Sequence, residues 1–141
     1  MGTVNTFDHT ADVGLRVTGV DLADLFRTAA EGMFDYIVAN REAVRVVQRE
    51  AVDLRGDAAV DLLVVWLNEL IFRCETKHVL YTEFEVRLND DGRTLHAEIG
   101  GEPIDRDRHE LDHEVKAVTL HGLDVHRVEG EGWVAEVILD I

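Results

Sequence analysis

A histidine and two aspartates frame this sequence. His9-Thr10-Ala11-Asp12-Val13-Gly14 sets an imidazole beside a carboxylate, and the apolar run Trp133-Val134-Ala135-Glu136-Val137-Ile138-Leu139 leads into Asp140 and Ile141. An acid at the end of a buried strand must be hydrated, paired or metal-bound, because burying it bare is strongly unfavourable. Asp12 and Asp140 can meet only if the strands that carry them are neighbours, and that geometry is what a metal or an acid–base site needs. Carboxylates are hard oxygen ligands suited to Ca²⁺, Mg²⁺ or Mn²⁺. The α-carboxylate of Ile141 would add an oxygen close to Asp140. Each acid also has an ordinary reading, Asp12 as a turn or cap residue before Gly14 and Asp140 as a frayed terminal acid.

His9 is either a metal ligand or acid–base group, or a hydrogen-bonded structural residue. His109 and His113 are four apart but lie in a loop next to a proline, without a helix to align them. No HExxH or CxxC pair is present, so zinc is not indicated. Lys116, in Glu114-Val115-Lys116-Ala117-Val118-Thr119-Leu120, shares a strand face with Val118 and Leu120 by alternation. An isolated lysine there points to a carboxylate or phosphate partner, or to an edge strand guarded against aggregation. The sequence has no Gly-rich phosphate loop, serine elbow or dinucleotide fingerprint.

The elements that would position these groups follow from hydrophobic spacing. Leu22, Leu25, Phe26, Ala29, Ala30, Met33, Phe34 and Ile37 predict an amphipathic helix over 21–39 with Asp21 as N-cap. Ala59, Leu62, Leu63, Trp66, Leu67, Leu70, Ile71 and Cys74 predict a second over 58–76, capped by Asp57. Cys74 on that stripe reads as a small inert core residue. Phe84, Val86 and Leu88, the turn Asn89-Asp90-Asp91-Gly92, and Leu95, Ala97 and Ile99 make a hairpin. Residues 44–55 read as a strand, and 114–128 as another, broken at Gly122. The order β, α, β, α and then four strands predicts an α+β fold, two helices packed on one face of a mainly antiparallel sheet. Residues 100–113 carry dense charge and the single proline, and read as a loop and candidate working surface.

The chain has 141 residues, enough for one domain over 1–141. No apolar run is long enough to span a bilayer, and the first residues do not read as a signal peptide. A single cysteine suits a cytoplasmic protein. The 29 acids against 14 bases give a formal charge of −15, and only Lys77 and Lys116 among the bases are lysines. A field of that sign opposes direct nucleic-acid binding. It fits halophilic adaptation to a salty cytoplasm, docking onto a basic partner surface, or both.

His9–Gly14, the helix segment Leu25–Phe34, Leu67-Asn68-Glu69-Leu70-Ile71-Phe72, Gly101-Glu102-Pro103-Ile104-Asp105, Arg108-His109-Glu110, Glu114–Thr119 and Ile138-Leu139-Asp140-Ile141 together resemble the archease family, in order and over almost the whole chain. The resemblance implies a small α+β protein with a strand-helix-strand-strand module. It implies an accessory factor of tRNA splicing, not itself an enzyme, that promotes guanylylation and multiple turnover of an RtcB-type RNA ligase. It also implies a divalent metal, calcium first and Mg²⁺ or Mn²⁺ as alternatives, held by Asp12 and Asp140, with Lys116 needed for activation. The rival readings are a stand-alone metal-dependent hydrolase using Asp12 and Asp140 on a small ester, and a general protein chaperone, which would need a large exposed apolar patch.

Overall fold

In a computed structural model, residues 2–9, 12–120 and 125–141 are described, with the backbone alone at 7–9 and 120. The chain opens with a hairpin of β1 (Thr3–His9) and β2 (Asp12–Gly19), followed by helix α1 (Leu22–Ile37). A short 3-10 turn, Arg41–Ala43, leads to β3 (Gln48–Arg55), helix α2 (Ala59–Lys77), β4 (Val79–Leu88) and β5 (Thr94–Pro103). Three strands follow, β6 (Ala117–Leu120), β7 (His126–Val128) and β8 (Gly132–Asp140).

Every pairing among these strands is antiparallel, and the class is α+β, as the spacing predicts. Hydrophobic patterns do not reveal that the strands divide between two sheets. One runs β1-β2-β8-β6, with β7 also on β8, and the other runs β3-β5-β4. The β3-α2-β4-β5 segment is the strand-helix-strand-strand unit, and its strands make up the second sheet. Helix α1 touches β2 and β8 of the first sheet and β4 of the second; α2 touches β6 and, across from it, β3, β4 and β5. Contact with both sheets explains why so much of each helix is apolar: Leu25, Phe26, Ala29, Ala30, Met33 and Phe34 of α1, and Leu62, Leu63, Trp66, Leu67 and Leu70 of α2, are fully buried. The Trp66 indole N–H donates to the Phe26 carbonyl at 3.0 Å and joins the two helices.

Local chemistry sets the element ends. The Asp21 carboxylate accepts from the Asp24 N–H at 2.7 Å, the N-cap read from the sequence. The second cap is displaced by one residue: Ala58, not Asp57, holds that position and offers no side-chain bond. The β4–β5 turn is closed by Asn89, whose side-chain oxygen accepts from the Arg93 and Thr94 N–H groups, and by Gly92 at φ +70. The stretch read as a strand over 114–128, broken at Gly122, contains two short strands, both paired with β8, and starts later than read because Glu114 to Lys116 are irregular; Gly122 lies outside the described residues.

Candidate functional site

Strands β1 and β2 pair antiparallel, with His9 and Asp12 opposite each other. Strand β8 lies between β2 and β6, and the register sets Asp12 directly opposite Asp140 and, on the other flank, Ala117 opposite the same Asp140. Residues directly opposed in an antiparallel pair point to one face, with Cβ atoms about 4.5–5.5 Å apart. Leu15, Val17, Val137 and Leu139 turn inward to the core cluster. The even-numbered Asp12 and Asp140 therefore project from the other face. Like charges in that arrangement repel, and a divalent cation with oxygen preference would reverse the sign of the interaction. This is the observation on which the residues suit a metal. Among the described residues, no group of three or more His, Cys, Asp and Glu is placed to hold an ion. Two protein carboxylates leave most of a hard cation's shell to other oxygens, the pattern in which substrate phosphates share the ion.

The remaining candidates fall as follows. Ile141 follows directly on β8 and is 37% exposed. The side chain of His9 lies outside the described residues. Lys116 is brought to the pair by backbone: its N–H donates to the Asp140 carbonyl at 2.7 Å. It does not share a face with Val118, however. Strand β6 begins one residue later, Val115 and Val118 both enter the core, and Lys116 is exposed. The period-2 reading fails there because the segment before Ala117 is not a strand.

The charged stretch read as a loop over 100–113 also differs. Residues 100–103 belong to β5, and Glu102 and His109 are 5% and 3% exposed. Gly101 permits this, since a Cβ there would lie 1.9 Å from the Leu80 carbonyl oxygen. The Glu102 carboxylate accepts from the Arg108 guanidinium, from the Arg45 N–H at 2.7 Å and from His109 Nε2 at 2.9 Å. His109 Nδ1 accepts from the Asp105 N–H, which leaves the proton on Nε2 as donor. Burial alone would raise the Glu102 pKa; the Arg108, Arg45 and His109 bonds and the Arg108 charge outweigh it and bring it down to about 2. The segment is further sewn to the end of α1 by Ala39 N–H to Glu110 O and Asp112 N–H to Ile37 O. What leads into Lys116 is thus an ordered strap.

Comparison with known proteins decides the family. The profile of the Archease protein family matches residues 5–141. The chain belongs to the archease family. A Methanopyrus kandleri protein named Protein archease is 38% identical over 136 residues, covering 95% of this chain and 96% of that one. A solution structure of a Methanobacterium thermoautotrophicum protein superposes with a TM-score of 0.81 at 34% identity, covering 98% of each chain. A crystal structure of an archease from Thermotoga maritima, described as a possible chaperone, shares the fold, with a TM-score of 0.66, 16% identity and coverage of 97% and 96%. Archease relatives are not named as enzymes. Among the described residues no helix is long and apolar enough to cross a membrane.

Outside the two helices, the segments on which the resemblance rests fall into two groups in the structure. Those carrying Asp12, Lys116 and Asp140 converge on one end of the first sheet. The Gly101–Asp105 and Arg108–Glu110 motifs build the buried Glu102 network, a role that Glu-Pro and Arg-His dipeptides do not announce. The one signal for it is Gly101, where the Leu80 backbone comes too close for any Cβ.

Proposed function

We propose that this archease-family protein is a metal-binding accessory factor that activates an RtcB-type tRNA-splicing RNA ligase, promoting its guanylylation and repeated turnover. The observation that supports this reading is the register of β8. It draws two carboxylates and the backbone of a rare lysine, from three distant parts of the chain, to one sheet end. Asp12 and Asp140 would hold a divalent cation, whose chemistry is charge neutralisation and placement of phosphate oxygens. Lys116, exposed beside them, supplies a compact positive charge to a phosphate or carboxylate of the partner. The set contains no nucleophile and no phosphate loop, so it completes another protein's active site more readily than it runs a reaction alone. The overall negative charge favours contact with the ligase protein over its RNA.

The test is a ligation time course with RNA substrate in large excess over ligase, with and without this protein. Catalytic amounts should convert about one turnover per ligase into many. Asp12→Ala, Lys116→Ala and Asp140→Ala should each lower the effect by roughly a hundred- to a thousandfold, the scale for a group acting through charge on a transition state. Combined losses should be non-additive if the three act as one unit. Unchanged turnover with the wild-type protein, or full activation by Lys116→Ala, would overturn this reading.

A further inference from the structure

Strand β6 is four residues long and, among the described residues, has one neighbour in the sheet, β8. The other edge of such a strand presents backbone N–H and C=O groups that need partners. At its centre both are met by one side chain. The Val118 N–H donates to Asn68 Oδ1 at 3.0 Å, and Asn68 Nδ2 donates to the Val118 carbonyl at 3.0 Å. The primary amide imitates the missing strand. Its second N–H donates to the Val64 carbonyl at 3.0 Å, one turn back along α2, which fixes the rotamer. Helix α2 is a firm platform, since Trp66, Leu67 and Leu70 around Asn68 are fully buried. Lys116 lies two residues before Val118, just ahead of β6, and its N–H reaches the Asp140 carbonyl at 2.7 Å.

We propose that Asn68 is a positioning residue: by clamping the Val118 peptide to α2 it sets the alignment of β6 on β8 and so holds Lys116 beside Asp140. This rests on the role proposed above for Lys116. Neither side chain of the same size and shape reproduces the clamp. Leucine has neither donor nor acceptor, and an ionised aspartate keeps the acceptor for the Val118 N–H but turns a second oxygen towards two carbonyls.

The test uses the full chain with Asn68→Leu, and Asn68→Asp as the second variant should the first fail to fold. Amide hydrogen exchange followed by NMR reads the clamp directly. Protection at Lys116, and in Asn68→Leu also at Val118, should fall at least tenfold, while the amides of β2 and of α1 stay within twofold of the wild type. Activation of the ligase should fall at least tenfold at a concentration where the variant is fully folded. Protection retained at Lys116, or lost uniformly over the chain as in simple destabilisation, overturns the proposal. So does full activation by a variant whose Lys116 amide has been freed. If the wild-type protein fails to activate, the function proposed above falls, and the exchange data still decide whether Asn68 orders Lys116.

Discussion

Replacing Glu102 by glutamine should uncouple the strap that leads to Lys116, and the cost can be worked from the site. The carboxylate is buried and accepts from Arg108, the Arg45 N–H and His109, and its pKa falls from 4.5 to about 2. At about 1.36 kcal/mol per pH unit, that difference corresponds to about 3 kcal/mol of stability at neutral pH. Glutamine keeps one acceptor but aims an N–H₂ at donors, so Glu102→Gln should destabilise the protein by about 2–3 kcal/mol, lowering the Tm by about 10 °C for a chain of this size. The sign of the pH dependence follows from the lowered pKa. The contribution is complete above 4.5, the unfolded value, and is lost as pH falls from there through about 2. By linkage, it should shrink to under half by about pH 3. Urea titrations of the wild type and variant at pH 7 and pH 3, in 1 M KCl, measure the gap directly. A gap under about 0.5 kcal/mol at pH 7, or one undiminished at pH 3, would refute the assignment of Glu102 as an ionised anchor.

Asp12→Ala and Asp140→Ala should each abolish calcium or manganese binding in calorimetry while circular dichroism stays native, since both carboxylates project from the face of the sheet away from the core; binding retained by either variant would exclude the pair as the ligands. With a formal charge of −15, repulsion over the Debye length of about 10 Å at 0.1 M salt should relax in molar salt, so the Tm should climb steadily from 0.1 M to 2 M KCl. A flat or falling curve would reject halophilic adaptation. Burial, with the Glu75 charge second, pushes the Cys74 thiol up to about 11, so alkylation at pH 8 should run roughly a hundredfold slower in the folded chain than in urea. Equal rates would show that the thiol is not held in the core.

The helices were legible because burial imposes a 3.6-residue stripe, and both elements follow it, with Asp21 capping as expected. Asp57 did not cap because the choice between adjacent residues depends on backbone dihedrals that composition does not encode. The meeting of Asp12 with Asp140 could be stated only as a condition, that their strands be neighbours, because pairing at that distance leaves no local trace. The same blindness concealed the split into two sheets. Lys116 was placed on an apolar face by extending a period of two into a segment that is not a strand. Glu102 and His109 read as surface charge because Arg45 comes from another segment and Arg108 becomes a partner only once 102–109 folds back on itself, and dense charge does not distinguish a solvated loop from a closed network.

The 128 positions from Asp12 to Asp140, residues that end up face to face, also order events in time. On a ribosome the β1–β2 hairpin emerges well before β8, and the second edge of β2 stays open until β8 has been made. Long-range pairing of this kind makes folding slow and leaves an unpaired edge to attract other chains. It also acts as a form of quality control. A product interrupted anywhere before β8 contains one half of the carboxylate pair without the other, so, if the pair works as proposed, a half-built protein cannot pass for a competent one.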